Sequence, residues 1–152
     1  MDAYNFESKD EVIAAAIRFV EERATYTSAT LHSARETKDL LRLRIGDSER
    51  EIFCVLYLNS QHKLIEVDEL FKGTIDGAAV YPREIAKAAL AHNAAAVILG
   101  HNHPSGITEP SSADRRITER ITSSLGLLDI RVLDHVIVST SESFSFAEEG
   151  LL

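Results

Sequence analysis

Two histidines near the middle of the chain have the residue type and spacing to hold a metal ion. His101 and His103 directly follow an apolar run, residues 96–99, that is typical of a buried strand. Because side chains alternate between the two faces of a strand, residues two apart lie on the same face. An extended segment therefore projects both imidazoles to one side. Asn102, between them, faces the other way and is interpreted as a residue that fixes the loop.

An aspartate completes the candidate ligand set. Ten residues separate His103 from Asp114, which is enough for a loop that turns back over the end of the strand. Ser111 is a good N-cap for a helix that begins about there, and Asp114 then lies in its first turn. Two imidazoles and one carboxylate leave one position of a tetrahedral site for water, which is the arrangement of a catalytic zinc. The pattern predicts Zn²⁺ held by His101, His103 and Asp114.

Each of these residues alone has a simpler explanation. A single His-x-His pair seldom binds metal, and Asp114 could be an ordinary acid that favours the N-terminus of a helix. Ser111 could be a helix cap and nothing more. The complete pattern, placed on a strand, a loop and a helix, is far more specific than its parts, and it favours the metal site.

The full pattern resembles the signature of a known family. His-x-His-Pro followed by Ser-x-x-Asp is similar to the motif of the JAB/MPN (JAMM) metallopeptidases, and the longer His-Asn-His-Pro-Ser-Gly form resembles their RadC-like branch. The resemblance covers about residues 40–152 and implies an α/β fold, a curved mixed β-sheet with flanking helices similar to that of the cytidine deaminases. It extends to these segments: Glu49-Arg50-Glu51, Gly73-Thr74, Tyr81-Pro82-Arg83-Glu84, Asp129-Ile130-Arg131-Val132, Asp134-His135 and Phe144-Ser145-Phe146.

The resemblance also implies a mechanism, in which zinc-activated water attacks an amide, peptide or isopeptide bond. In the family a glutamate from an earlier strand holds the water and a serine helps to stabilise the oxyanion. Glu51, at the start of an apolar strand, matches the glutamate, and Glu49 is the alternative. Both could instead be solvated acids. Ser111 matches the serine, and its hydroxyl can accept a backbone N–H as a cap while it donates to an oxyanion. Glu51 and Ser111 are therefore the predicted catalytic residues of a hydrolase.

Two other functions stay open at this stage. RadC-like proteins carry a DNA-repair label, so the chain could be a DNA-associated module with little or no peptidase activity. It could also be a domain that keeps zinc but has lost activity. Relatives place a helix-hairpin-helix segment before this domain, and we expect this chain to lack it. The net charge of −8 disfavours a large phosphate-binding surface, so we expect no strong nucleic-acid binding by this chain alone.

Composition favours one globular unit of 152 residues, of which 45% are hydrophobic. Within it we expect a helical segment, residues 1–30, and a RadC-like domain, residues 31–152. The single cysteine, Cys54, is interpreted as a core residue. With no signal-peptide pattern and no apolar run of membrane-spanning length, we expect a cytoplasmic protein without membrane association. It would act on a peptide or protein substrate, and a homo-oligomer is one option for its assembly.

Hydrophobic periodicity predicts the order of the elements. A capping box at Ser8 predicts a first helix, followed by a connector over 24–32 and a second helix from Ser33 to about Gly46. His135 lies in a predicted strand and is interpreted as a structural residue, with contact to a metal ligand as the alternative. The other predicted strands and helices alternate, which favours α/β layers. The predicted strands cover 51–58, 63–71, 96–99, 130–140 and 143–146, and the later helices cover 82–93 and 112–125.

Overall fold

The computed structural model describes residues 5–26, 34–73 and 80–152. Within these ranges the chain is an α/β protein, as the sequence predicts. The elements, in chain order, are α1 (Lys9–Tyr26), α2 (Ala34–Ile45), β1 (Ile52–Leu58), β2 (Leu64–Lys72), α3 (Pro82–Ala91), β3 (Ala96–Asn102), α4 (Ser112–Gly126), β4 (Arg131–Val138) and β5 (Ser143–Ser145).

The strands form one mixed sheet with the order β2-β1-β3-β4-β5. The strand β1 pairs antiparallel with both β2 and β3, and β5 pairs antiparallel with β4. The strands β3 and β4 are parallel and are joined through α4, because parallel neighbours need a crossover connection. The carboxyl ends of β3 and β4 and the amino end of β1 therefore lie side by side at the same end of the sheet.

Helices cover both faces of the sheet. Successive side chains of β1 alternate between two hydrophobic clusters: Cys54 and Leu56 belong to the cluster that contains Leu40 and Leu41 of α2. Phe53 and Val55 belong to the cluster that contains Ile85 of α3 and Ile117 and Ile121 of α4. The period of two thus assigns each strand residue to one face of the sheet. Val97 and Leu99 lie on the face covered by α3 and α4, and His101, two residues after Leu99, lies on the same face.

One glycine is required by close packing between the sheet and α2. A Cβ atom on Gly100 would lie 2.7 Å from Leu41 Cδ2 and 3.2 Å from Cys54 Sγ. Real Cβ atoms essentially never come within 3.0 Å of another heavy atom, so the Leu41 side chain packs this closely on β3 because residue 100 lacks a side chain. This contact supports the strand immediately before His101.

Several predicted boundaries differ from the observed ones. The helix α1 continues to Tyr26 and so occupies the beginning of the predicted connector, while the predicted start of α2 at Ser33 lies outside the described residues. The Ser8 hydroxyl accepts the N–H of Glu11 at 3.2 Å, as a cap should, but the Glu11 carboxylate accepts from Glu7 N–H instead of completing the box. Residues of α1 pack on the sheet cluster, so the division at residue 30 stays a prediction.

Two expectations from composition can be compared with the structure. Cys54 is fully buried, and burial raises the pKa of its thiol to about 12, so it is the core residue that the sequence predicts. In the described parts of the chain, no helix combines the length and the apolar character that crossing a membrane requires.

Candidate metal centre

The two histidines and the aspartate converge at the carboxyl end of β3. His101 Nε2 lies 2.9 Å from His103 Nε2 and 3.2 Å from Asp114 Oδ1, and His103 Nε2 lies 3.1 Å from Asp114 Oδ2. His101 and Asp114 are buried, whereas His103 is partly exposed. The structure therefore brings the three predicted ligands together, with their ligand atoms all within 4.8 Å of one another and with one open side at His103.

The position of Asp114 is fixed by the start of α4. Ser111 is the N-cap: its Oγ accepts the N–H of Asp114 at 3.0 Å, and Asp114 Oδ2 accepts the N–H of Ser111 at 2.8 Å. This reciprocal pair is a capping box, which satisfies two backbone donors that a helix leaves unpaired. The box holds the carboxylate of Asp114 toward the histidines. In it Ser111 Oγ acts as an acceptor, so the hydroxyl proton is not used by the cap.

The charges of the site favour a cation. Burial raises the pKa of the Asp114 carboxyl, but its contacts with His101 and His103 outweigh burial, and the pKa falls well below its usual range. Burial lowers the pKa of His103, but Asp114 and the carbonyl of Ile107 outweigh it, and the net shift is upward. For His101 burial dominates and lowers the pKa. An ionised carboxylate thus faces two imidazoles, and its negative charge attracts a cation to this point.

The donor atoms fit a metal ion such as zinc. His103 Nδ1 lies 2.7 Å from the Ile107 carbonyl oxygen, and because a carbonyl can only accept, the ring proton is on Nδ1. His103 Nε2 then presents a lone pair to the centre, beside the anionic Asp114. Nitrogen from two imidazoles and oxygen from one carboxylate is a common set of zinc ligands. The site could therefore hold a metal ion.

A third histidine contacts the site from the neighbouring strand. His135 of β4 is fully buried, and its Nε2 lies 2.7 Å from His101 Nδ1. Its Nδ1 lies 2.6 Å from Thr118 Oγ1 of α4. The structure therefore supports the alternative interpretation of His135, contact with a candidate ligand, although the residue is also buried in the core.

Thr118 is a site residue that the sequence reasoning missed. Its hydroxyl also donates to the backbone carbonyl of Asp114 at 2.6 Å. A threonine in the middle of a helix carries little signal by itself. The usable signal was its spacing, since Thr118 is four residues after Asp114 and therefore on the same face of α4.

Two aromatic rings enclose the buried histidines. Phe53 of β1 stacks on His101, with 6.0 Å between ring centroids and 14° between planes. Phe146 stacks on His135 at 4.8 Å and 18°. Both phenylalanines are almost fully buried. They restrict the orientation of the imidazoles and exclude water from the inner side of the site.

The two candidate glutamates lie at the amino end of β1. Glu51 has the strand parity of Phe53, which contacts His101. Its negative charge acts to raise the pKa of both histidines, although burial lowers the pKa of His101 overall. Glu51 is partly buried, whereas Glu49 is exposed. Glu49 lines a small cavity that also contacts His103. Glu51 thus acts electrostatically on both candidate ligands, while Glu49 shares a cavity with His103. The choice of Glu51 as the base, made from the resemblance, stays a prediction.

Asn102 fixes the segment that leads into β1. Its side-chain oxygen accepts the N–H of Ile52 at 2.7 Å, and its Nδ2 donates to the carbonyls of Ser48 and Arg50 at 3.2 and 2.9 Å. The amide is fully buried on the face opposite the histidines. Asn102 thus does hold a loop, and the loop it holds is the one that carries Glu51.

A cavity of about 170 Å³ opens beside His103. It lies between the turn after α2, the Pro104–Gly106 turn and the end of β4. Its walls are polar and apolar in about equal parts and come from these residues: Gly46, Asp47, Ser48, Glu49, Pro104, Gly106, Ser139 and Thr140. The exposed side of the ligand cluster therefore faces a concave and accessible surface.

Comparison with known proteins confirms the resemblance. The family model described as RadC-like JAB domain matches residues 31–151. UPF0758 proteins of Cellvibrio japonicus and Thiobacillus denitrificans are 58% and 56% identical to the chain over 122 residues, which are 80% of this chain and 54% of each relative. The chain thus spans about half the length of these relatives. A UPF0758 protein of Vibrio cholerae is 54% identical over 141 residues, covering 93% of this chain and 88% of that protein. The chain belongs to the family of RadC-like JAB domain proteins.

Proposed function

We propose that this chain is a zinc-dependent hydrolase that cleaves an amide bond in a peptide, either a main-chain or an isopeptide bond. The observation that carries the proposal is the convergence of His101 Nε2, His103 Nε2 and the Asp114 carboxylate at one partly open point. Glu51, at the amino end of β1, carries a negative charge that acts to raise the pKa of both histidines. Membership of the JAB family supports the same reaction class.

In the proposed reaction His101, His103 and Asp114 hold the metal ion. When bound, zinc supplies a water molecule of lowered pKa and polarises the scissile carbonyl. Glu51 accepts the proton of the attacking water and passes it to the leaving nitrogen, which is general base and then general acid catalysis. The Ser111 hydroxyl donates a hydrogen bond to the carbonyl oxygen as negative charge develops there. The capping bond leaves this proton available, because Ser111 Oγ only accepts in that bond.

The shape of the surface beside His103 supports a peptide as the substrate. A cavity of about 170 Å³ with a mixed polar and apolar lining can take an extended segment of chain rather than a folded surface. The lining includes backbone of the turn around Gly46 and of the Pro104–Gly106 turn. Extended peptides are commonly bound through such main-chain groups. We therefore propose a flexible peptide or protein tail as the substrate class.

The first test is the metal content of the chain. Protein purified without added metal should contain close to one equivalent of zinc by elemental analysis, and His101→Ala combined with His103→Ala should abolish it. His62→Ala, in the β1–β2 turn and outside the ligand cluster, is the matched control and should keep the zinc. Full zinc retention in the double variant would show that the metal, if present, is bound elsewhere.

The second test is hydrolysis. Zinc-loaded protein, chelator-treated protein and the double histidine variant should be compared on a panel of peptides and isopeptide-linked peptides. Cleavage that requires both zinc and the histidines supports the proposal. Stoichiometric zinc without cleavage of any substrate would instead favour the alternative of a domain that keeps the metal but has lost activity.

The partners and location follow from the same proposal. A peptide or protein substrate is expected, and strong nucleic-acid binding by this chain alone is not. A cytoplasmic location is proposed from the single, buried cysteine, since cytoplasmic proteins rarely depend on disulfides. Whether the chain forms a homo-oligomer can be measured by sedimentation.

A further inference from the structure

A hydrogen-bonded relay connects the candidate ligand His101 to the backbone of α4. Its members are His101 Nδ1, His135 Nε2, His135 Nδ1, Thr118 Oγ1 and the carbonyl oxygen of Asp114. The successive distances are 2.7 Å from His101 to His135, 2.6 Å from His135 to Thr118, and 2.6 Å from Thr118 to Asp114 O. All three relay side chains are buried, with exposed fractions of 0% for both histidines and 3% for Thr118.

The last member of the relay determines the direction of all its hydrogen bonds. A backbone carbonyl can only accept, so the single proton of the Thr118 hydroxyl is directed to Asp114 O. The oxygen of Thr118 must then accept from His135, which places a proton on His135 Nδ1. A fully buried imidazolium is costly, and a neutral ring carries one proton, so His135 Nε2 is bare. His135 Nε2 therefore accepts from His101, and the proton of His101 is on Nδ1.

We propose that Thr118 and His135 are positioning residues that fix the tautomer of His101 so that its Nε2 presents a lone pair to the metal. The other histidine ligand is fixed more simply, because His103 Nδ1 donates directly to the Ile107 carbonyl. A backbone carbonyl thus fixes the tautomer of each histidine ligand. The carbonyl acts directly on His103, whereas for His101 it acts through two side chains, Thr118 and His135. The relay ends on Asp114, whose carboxylate is the third ligand.

This arrangement explains why a polar relay lies inside an apolar core. A buried histidine pair and a buried threonine each cost free energy unless every polar atom has a partner. Here each polar atom of the relay has one. In return, hydrogen bonds to the far nitrogen of a metal-bound imidazole orient the ring and raise its basicity as a ligand. The inference rests on the metal-binding part of the proposed function and not on hydrolysis.

The matched variants lie on one helix. Thr118→Val removes the hydroxyl at nearly constant volume, and Thr118→Ser keeps it. Thr122→Val is the control, because the Thr122 hydroxyl donates to the Thr118 carbonyl at 2.8 Å, the same bond within α4 without contact to a histidine. Zinc affinity is measured by competition with a chromophoric chelator. We expect Thr118→Val to bind zinc about 10- to 100-fold more weakly than wild type, and Thr118→Ser and Thr122→Val to bind within about threefold.

A direct readout of the tautomer separates this proposal from a general packing effect. Long-range ¹H–¹⁵N correlation spectra of wild-type protein report which imidazole nitrogen carries the proton. Both metal-free and zinc-loaded protein should show His135 protonated at Nδ1 and bare at Nε2. This spectrum needs no variant, so it tests the inference even where Thr118→Val fails to fold.

Two results would overturn the inference. One is a His135 ring that carries its proton on Nε2, or on both nitrogens. The other is a folded Thr118→Val variant with the zinc affinity of wild type. Failure of the proposed function gives different results, because the wild-type protein would then bind no zinc, or would bind zinc and cleave nothing. In either case the tautomer of His135 in the metal-free protein can still be measured independently.

Discussion

The side-chain oxygen of Asn102 accepts the backbone N–H of Ile52 at 2.7 Å. This bond links the residue between His101 and His103 to the residue that follows Glu51, at the start of β1. The same amide donates to the carbonyls of Ser48 and Arg50. The strands β1 and β3 pair beside this bond, with Phe53 opposite His101. One buried side chain therefore adds a further link between the segment of the candidate ligands and the segment that carries Glu51.

Asn102→Ala should therefore reduce activity without removing the metal. It would leave the Ile52 N–H and two carbonyls without their partner, which we expect to lower the free energy of unfolding by roughly 2–3 kcal/mol. Displacement of Glu51 by even about 1 Å should lower turnover by up to about 10²-fold. The measurements are urea unfolding, zinc content and hydrolysis of a peptide substrate.

The control for that variant is Asn59→Ala. Asn59 also bonds to the backbone through its side chain, at Gln61 and Lys63 in the β1–β2 turn, but away from the metal centre. It should cost about 1 kcal/mol of stability and leave turnover unchanged. Equal loss of turnover in both asparagine variants would mean that Asn102 acts only through global stability.

Glu51→Gln should separate catalysis from metal binding. Gln keeps the size of the side chain and removes the carboxylate that accepts the proton of the water. Hydrolysis should fall by about 10²- to 10⁴-fold, the usual contribution of a positioned acid–base group, while zinc content stays unchanged.

Glu49→Gln is the control for this variant, because Glu49 is exposed and lies two residues earlier on the chain. It should have little effect on turnover. Loss of activity in Glu49→Gln together with normal activity in Glu51→Gln would show that Glu49, which lines the cavity beside His103, is the base. Normal activity in both would leave the mechanism without a carboxylate base.

The ligand set and most of the fold could be predicted from the sequence because their signals are local. His101 and His103 share a strand face by a spacing of two, and Ser111 and Asp114 form a capping box by a spacing of three. These patterns are encoded within a few residues of chain. The apolar strands and the amphipathic face of α4 are encoded in the same way.

The partners of those residues could not be predicted, because they depend on register between strands. Asn102 meets Ile52 across 50 positions of the sequence, and His101 meets His135 across 34. Such contacts follow from how β3 pairs with β1 and β4, which no local pattern specifies. The sequence alone therefore favours a structural role for His135 and gives no signal that Thr118 contacts it.

Ser111 is expected to have two separable effects. Ser111→Ala removes the cap and the hydroxyl donor together, so it should cost about 1 kcal/mol of stability. It should also lower turnover by about 10²- to 10³-fold, the usual effect of losing one oxyanion donor. Ser111→Thr keeps both groups and should recover most of both losses. A stability loss in Ser111→Ala with unchanged turnover would limit the residue to its capping role.

Gly100 and Gly126 have different surroundings, so we expect alanine to have opposite effects on stability at the two positions. In Gly100→Ala the new Cβ would lie 2.7 Å from Leu41, so overpacking should lower the free energy of unfolding by about 1–3 kcal/mol. In Gly126→Ala nothing lies within 4 Å of the new Cβ, and the helix gains about 0.5–1 kcal/mol. Chemical denaturation measures both. A neutral Gly100→Ala would show that α2 can move away from β3.

DNA binding by this chain should be weak and should have a shallow salt dependence. The formal net charge is −8, and the exposed arginines of α4, Arg115, Arg116 and Arg120, are interrupted by Glu119. Contact with no more than about three phosphates limits the slope of log K against log salt to about −3, and the dissociation constant at physiological salt should be weaker than about 10⁻⁶ M. Fluorescence anisotropy with duplex and single-stranded DNA over a salt series gives both values. Submicromolar affinity, or a steeper slope that Arg116→Glu abolishes, would show a nucleic-acid surface on α4 and favour a DNA-associated role over peptide hydrolysis.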